Sequence, residues 1–125
     1  MTAVPAPTDG ESIDWVVAAA RAADDKLAKD TLIIDVGDVL SITDHFVIAS
    51  GANSRQVRAI AEEIEAVIKA RGGPSPNRTE GTDTSEWILL DYGEFVVHVF
   101  IAELRDFYQL ERLWGDRPKV DWEVA

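Results

Sequence analysis

A chain of 125 residues, 46% of them hydrophobic, is the size of one domain around one core. Its 12 Lys and Arg against 23 Asp and Glu leave a net charge of −11, a surface that repels phosphate backbones and anionic lipids. With no cysteine there are no disulfides and no thiolate metal sites, and the apolar runs are far too short to span a bilayer.

Residues 1–10, MTAVPAPTDG, are rich in Pro, Thr and Ala and lack the basic-then-apolar order of a signal peptide. They are expected to be a flexible tail on a cytoplasmic protein. A first helix is expected from Ser12, a good N-cap, with Ile13, Val16, Val17, Ala20 and Leu27 on its apolar stripe. TLIIDV (31–36) and DHFVIAS (44–50) read as strands joined by a linker over 37–43. Asn53 and Gln56 form a variant capping box for a second helix, and Val57, Ile60, Ala61, Ile64, Val67 and Ile68 share one face of it. Gly72, Gly73 and Pro74 stop that helix, and PSPNRTEGTDT is a loop with a short strand near 77–80. A hairpin over 86–100 and a last helix, AELRDFYQLERLW, follow, with Leu104, Phe107, Leu110 and Trp114 on one helix face. Residues 117–125 are expected to be a second tail, in which Trp122 is the residue able to dock. The fold class is α/β: a single domain over 11–116 with a mixed sheet and flanking helices, a parallel crossover through the second helix and an antiparallel hairpin.

The hairpin EWILLDYGEFVVHVF is the least ordinary stretch. With Tyr92 and Gly93 as loop residues, Asp91 faces Glu94, Leu90 faces Phe95, Leu89 faces Val96, Ile88 faces Val97 and Trp87 faces His98. Alternation then gives two faces. Ile88, Leu90, Phe95, Val97 and Val99 form an apolar face suited to helices. Trp87, Leu89, Asp91, Glu94, Val96, His98 and Phe100 form a mixed face, with aromatic area beside acids. That anatomy fits a protein-docking hot spot. It equally fits a Trp and a His covered by a helix, with His98 hydrogen-bonded in the core.

Other candidates carry less. Asp35, Asp38 and Asp44 lie near strand ends and suit a divalent cation, or else Asp38 and Asp44 shape the linker while Asp35 pairs with a nearby arginine. A two-metal nucleotidyl-transfer site wants Asp-x-Asp after a Gly-Ser turn, and the chain has neither. ASGANSR (49–55) leads into a helix N-terminus without a phosphate-loop fingerprint, so a capped turn is the expectation. Arg55 and Arg58 are expected to pair with acids. No cofactor is expected.

Four blocks, SITDHFVIASG, SRQVRAIAEEIE, EWILLDYGEFVVHVF and FYQLERLWGD, come in an order that resembles the ribosomal silencing factor, or Iojap, family. With KLAKDTLIIDV the resemblance spans residues 14–116. It implies a nucleotidyltransferase-like α/β fold without the catalytic motif, and a non-enzymatic translation repressor. Such a factor binds the fourteenth protein of the large ribosomal subunit and sterically blocks small-subunit joining. It implies a homodimer when free, little nucleic-acid contact and no membrane. By the same resemblance, Trp87 is the contact residue, with Asp91, Tyr92, Gly93, Glu94 and His98 of the same block as further partner-binding candidates. His45 stands where relatives commonly carry Tyr or Cys. The alternative is a metal-dependent nucleotidyltransferase-like enzyme using Asp35, Asp38 or Asp44.

Overall fold

The computed structural model describes residues 9–37, 43–108, 112 and 118–122. The elements run α1 (Asp9–Asp25), β1 (Lys29–Asp35), β2 (His45–Gly51), α2 (Ser54–Ala70), β3 (Arg78–Glu80), β4 (Trp87–Asp91), β5 (Phe95–Ile101) and α3 (Ala102–Tyr108). The strands form one mixed sheet in the order β1-β2-β5-β4-β3. Among the described strands, β2 and β5 alone pair in parallel, which is the crossover through α2 that the sequence predicts. Asp38 and the rest of 38–42 lie outside the described residues, as do Leu110, Trp114 and the side chain of Phe107.

α1 starts at Asp9, inside the segment expected as tail and ahead of the expected Ser12 cap. Its buried face is mostly alanine, Ala18, Ala19, Ala20, Ala22 and Ala23, so α1 and α2 can approach closely. Leu27 does not join that stripe. The helix has already ended, and Leu27 sits in the following turn at φ 64°, 76% exposed.

α2 is capped as predicted, with the Gln56 N–H donating to Asn53 Oδ1 at 2.9 Å. The Gln56 side chain reaches one residue beyond the N-cap amide that a capping box would engage. Its Oε1 accepts from the Ala52 N–H, and its Nε2 donates to the Lys26 and Leu27 carbonyls. One amide thus ties the α1–β1 turn to the β2–α2 turn. Ile60, Ile64 and Ile68 are fully buried against the sheet, each contributing about 1.5–3 kcal/mol by burial. Arg58 donates to the Thr82 carbonyl at 2.7 Å rather than to an acid, and so pins the loop before β4.

The expected C-terminal tail is partly docked. The Asp35 N–H donates to the Pro118 carbonyl, the Val120 N–H donates to the Ile33 carbonyl, and Ile34 bridges Lys119. Trp122 donates its indole N–H to the Thr31 carbonyl at 3.0 Å and packs on the main core. Residues 118–122 therefore cover the outer edge of β1, an edge otherwise open to other chains.

Candidate functional site

The β4–β5 pairing differs from expectation by a two-residue shift. Trp87 faces Phe100, Leu89 faces His98 and Asp91 faces Val96. The Tyr92 N–H donates to the Phe95 carbonyl, so the two loop residues are Gly93 and Glu94. Gly93, at φ 88°, fills the first loop position, where a II′-type turn takes glycine. Asp91 and Glu94 are consequently not opposed. Asp91 instead accepts the Gly93 N–H at 2.9 Å and lies 3.7 Å from the Arg78 guanidinium.

A shift of two leaves each strand side chain on its predicted face, Glu94 of the turn being the exception. Ile88, Leu90, Phe95, Val97 and Val99 are buried under α1 and α2 in the main core. The other face is a grid. Phe46, Val96 and Asp91 lie in one row, Ile48, His98 and Leu89 in the next, and Phe100 and Trp87 beyond. Its far end is closed, with Ile34, Val36, Ile48 and Phe100 buried and Leu104 of α3 packed on them. Its near end opens as a groove of about 390 Å³, walled by Phe46, Leu89, Val96 and His98 and rimmed by Arg78 and Asp91.

Trp87 stands half-buried beside this groove, its ring 4.7 Å from Phe100. Its indole N–H donates diagonally across the strands to His98 Nδ1 at 3.2 Å. His98 is 7% exposed, with Phe46 edge-on at 5.1 Å and Phe100 stacked at 6.1 Å. The histidine is thus a buried hydrogen-bond partner that orients the tryptophan. His98 lies in the core, as one sequence alternative has it, while Trp87 remains partly exposed.

Burial pushes the His98 imidazole down from 6.5 to about 4. With Nδ1 accepting from Trp87, the neutral ring carries its proton on Nε2. The unfolded chain takes up a proton near pH 6.5, the folded chain only near pH 4. Stability from this group is therefore intact above pH 6.5 and is lost as pH falls from there to about 4. The full loss is about 3 kcal/mol. Urea unfolding at pH values of about 7, 5.5 and 4 is expected to show this extra loss relative to His98→Gln. A constant difference between the two proteins across that range would rule His98 out as its source.

The structure brings together Trp87, His98, Asp91 and Gly93 on this side. It does not add Tyr92 or Glu94. Tyr92 is 7% exposed and stacks on Phe95 at 4.6 Å under the helices. Glu94 is exposed and lines a different hollow beside Trp15. Phe46 and Arg78 belong to the groove and were not singled out in the sequence. Phe46 reaches it through the parallel β2–β5 register, which the sequence does not reveal.

As for metal, Asp35 Oδ1 accepts the Gly37 N–H at 3.0 Å, and Asp44 also borders Gly37. Among the described residues, no group of three or more His, Cys, Asp and Glu could hold a metal ion. Among the same residues, no helix is long and apolar enough to cross a membrane.

A family model described as "Ribosomal silencing factor during starvation" matches residues 9–125. The ribosomal silencing factor of Bacillus subtilis is 43% identical over 107 residues, covering 86% of this chain and 90% of that protein. A mouse protein named for mitochondrial assembly of the ribosomal large subunit is 33% identical over 105 residues, covering 82% of this chain and 44% of its own. A crystal structure of a protein from Chromobacterium violaceum superposes with a TM-score of 0.78 at 32% identity, over 90% of this chain and 92% of that one. The match over nearly the whole chain, together with a fold shared at that score, means that this chain belongs to the ribosomal silencing factor family.

Proposed function

We propose that the chain binds the large ribosomal subunit through its fourteenth protein, and that its bulk there blocks small-subunit joining. The observation that carries this is the open end of the mixed sheet face. An apolar groove with an acid at its rim lies beside a half-buried tryptophan held in place by a buried histidine. Large aromatic anchors in such settings dominate binding energies. Trp87 is the anchor, His98 fixes its orientation, and Asp91 and Gly93 shape the rim.

Charge supports a protein rather than an RNA surface. A molecule of net −11 is repelled by phosphates and attracted to a basic protein patch, which also speeds encounter. The name of the mouse relative points to the same ribosomal subunit. On this reading the chain is a cytoplasmic translation repressor without catalytic activity, and a homodimer when free.

The test uses purified subunits. The chain is expected to co-sediment with large subunits and not with small ones, and to reduce formation of joined ribosomes in proportion to its occupancy. Undiminished joining at full occupancy would reject occlusion. Failure to co-sediment would reject the binding reading itself.

A further inference from the structure

The hairpin tip separates two hollows that share Gly93, and the other residues lining the one on the helix-covered side have no part in the proposed ribosome contact. It measures about 420 Å³ and lies between Trp15 of α1, Gly73 and Pro74 just past α2, and Tyr92, Glu94 and Phe95 of the hairpin. That volume is in the range of ligand pockets, about 300–1,000 Å³.

Its chemistry has one sign. Among the described residues, Glu94 is the only charged one lining it, and no ion pair engages that carboxylate. Arg71 precedes the glycines in the chain but does not line the hollow. α2 ends here, with the Gly72 and Gly73 N–H groups donating to the Lys69 and Ile68 carbonyls, so the negative end of its dipole adds to the acid. The remaining walls are aromatic or apolar. Trp15 is half-buried and packs close to Gly73, leaving part of its ring to face a visitor.

We infer that this hollow is a second recognition site, built for a lysine or arginine side chain on a basic segment of a protein partner. Aromatic rings attract a cation through their negative faces. Apolar walls suit the methylene stem of such a side chain, while its charged head stays near Glu94 at the rim. A phosphate-bearing ligand would meet the acid, the helix C-terminus and the net negative charge together. The site lies on the opposite side of the sheet from Trp87, so it stands or falls independently of the ribosome reading.

The experiment is a titration of the full chain followed by NMR, with the blocked tripeptide Gly-Arg-Gly as probe. Its isosteric control carries citrulline in place of arginine. Saturable shifts are expected at the Trp15 indole N–H and at the Gly72 and Gly73 amides, with affinity about twofold to fivefold weaker for the neutral control. Glu94→Gln, at an exposed position, is expected to leave the fold intact and remove most of that charge preference. Trp15→Leu is expected to abolish the shifts at Gly72 and Gly73. Equal affinity for the two peptides would overturn the inference, as would no saturable shift at these positions. A single-stranded RNA producing the same shifts would overturn it too.

Discussion

Trp87→Ala is expected to weaken binding to large subunits by roughly 30-fold or more, the loss of a 2 kcal/mol anchor. The side chain is half-buried, lies against Phe100, and bonds His98 in the wall of the open groove. Some stability is also lost, because the substitution strips His98 Nδ1 of its donor and uncovers part of Phe100. The fold should survive, since the main core lies on the other face of the sheet under α1 and α2. Co-sedimentation is therefore read beside a thermal melt. Trp87→Phe adds a finer comparison, keeping most of the ring while removing the N–H. It is expected to bind with an intermediate loss. Wild-type co-sedimentation by a folded Trp87→Ala chain would move the anchor elsewhere.

Gly81→Ala is expected to be the more damaging change to the fold itself. Gly81 lies just past β3 at φ 88°, a conformation that costs other residues about 1–2 kcal/mol. A methyl group there would collide with the Trp87 carbonyl oxygen, a backbone atom at the start of β4. Relief requires moving β3 away from β4 or shifting β4 itself, so a total loss of about 3 kcal/mol is expected. Urea unfolding measures it directly, and a change below about 0.5 kcal/mol would contradict the stated geometry. Because the collision is with Trp87, a surviving fold should also carry a displaced indole. Reduced large-subunit binding is then expected alongside the loss of stability.

Much of this architecture was legible in the sequence, and the failures have physical causes. α2 announced itself through its period and its cap, and both stand. The strand residues of the hairpin were sorted to the right faces although its loop was misplaced by one residue. Gly93 could serve as the second residue of one tight turn or the first of another, and the choice moves the register by two. A slip of two preserves faces where a slip of one would have exchanged them. Tyr92 and Glu94 were grouped with Trp87 because they are neighbours in the chain. The turn instead buries the tyrosine and sends the acid to the helix side. Leu27 looked like one more apolar position on a stripe, but the helix stops at Asp25. Phe46 escaped notice because its place depends on pairing between strands far apart in sequence. Residues 118–122 read as a tail because, apart from Trp122, backbone bonds that carry no side-chain signature hold them to β1.

That last contact bears on how the molecule is made. Thr31 and Trp122 lie 91 positions apart in the sequence. During synthesis every strand of the sheet emerges before the segment that seals β1. For that interval the carbonyls of Thr31 and Ile33 and the N–H of Asp35 have no strand to bond, on a sequence, TLIID, rich in β-formers. Loop closure over such a separation is a late event in folding. A released chain that ends just before Pro118 would thus be a nearly complete domain with one unprotected edge, the species most prone to pair with its own kind.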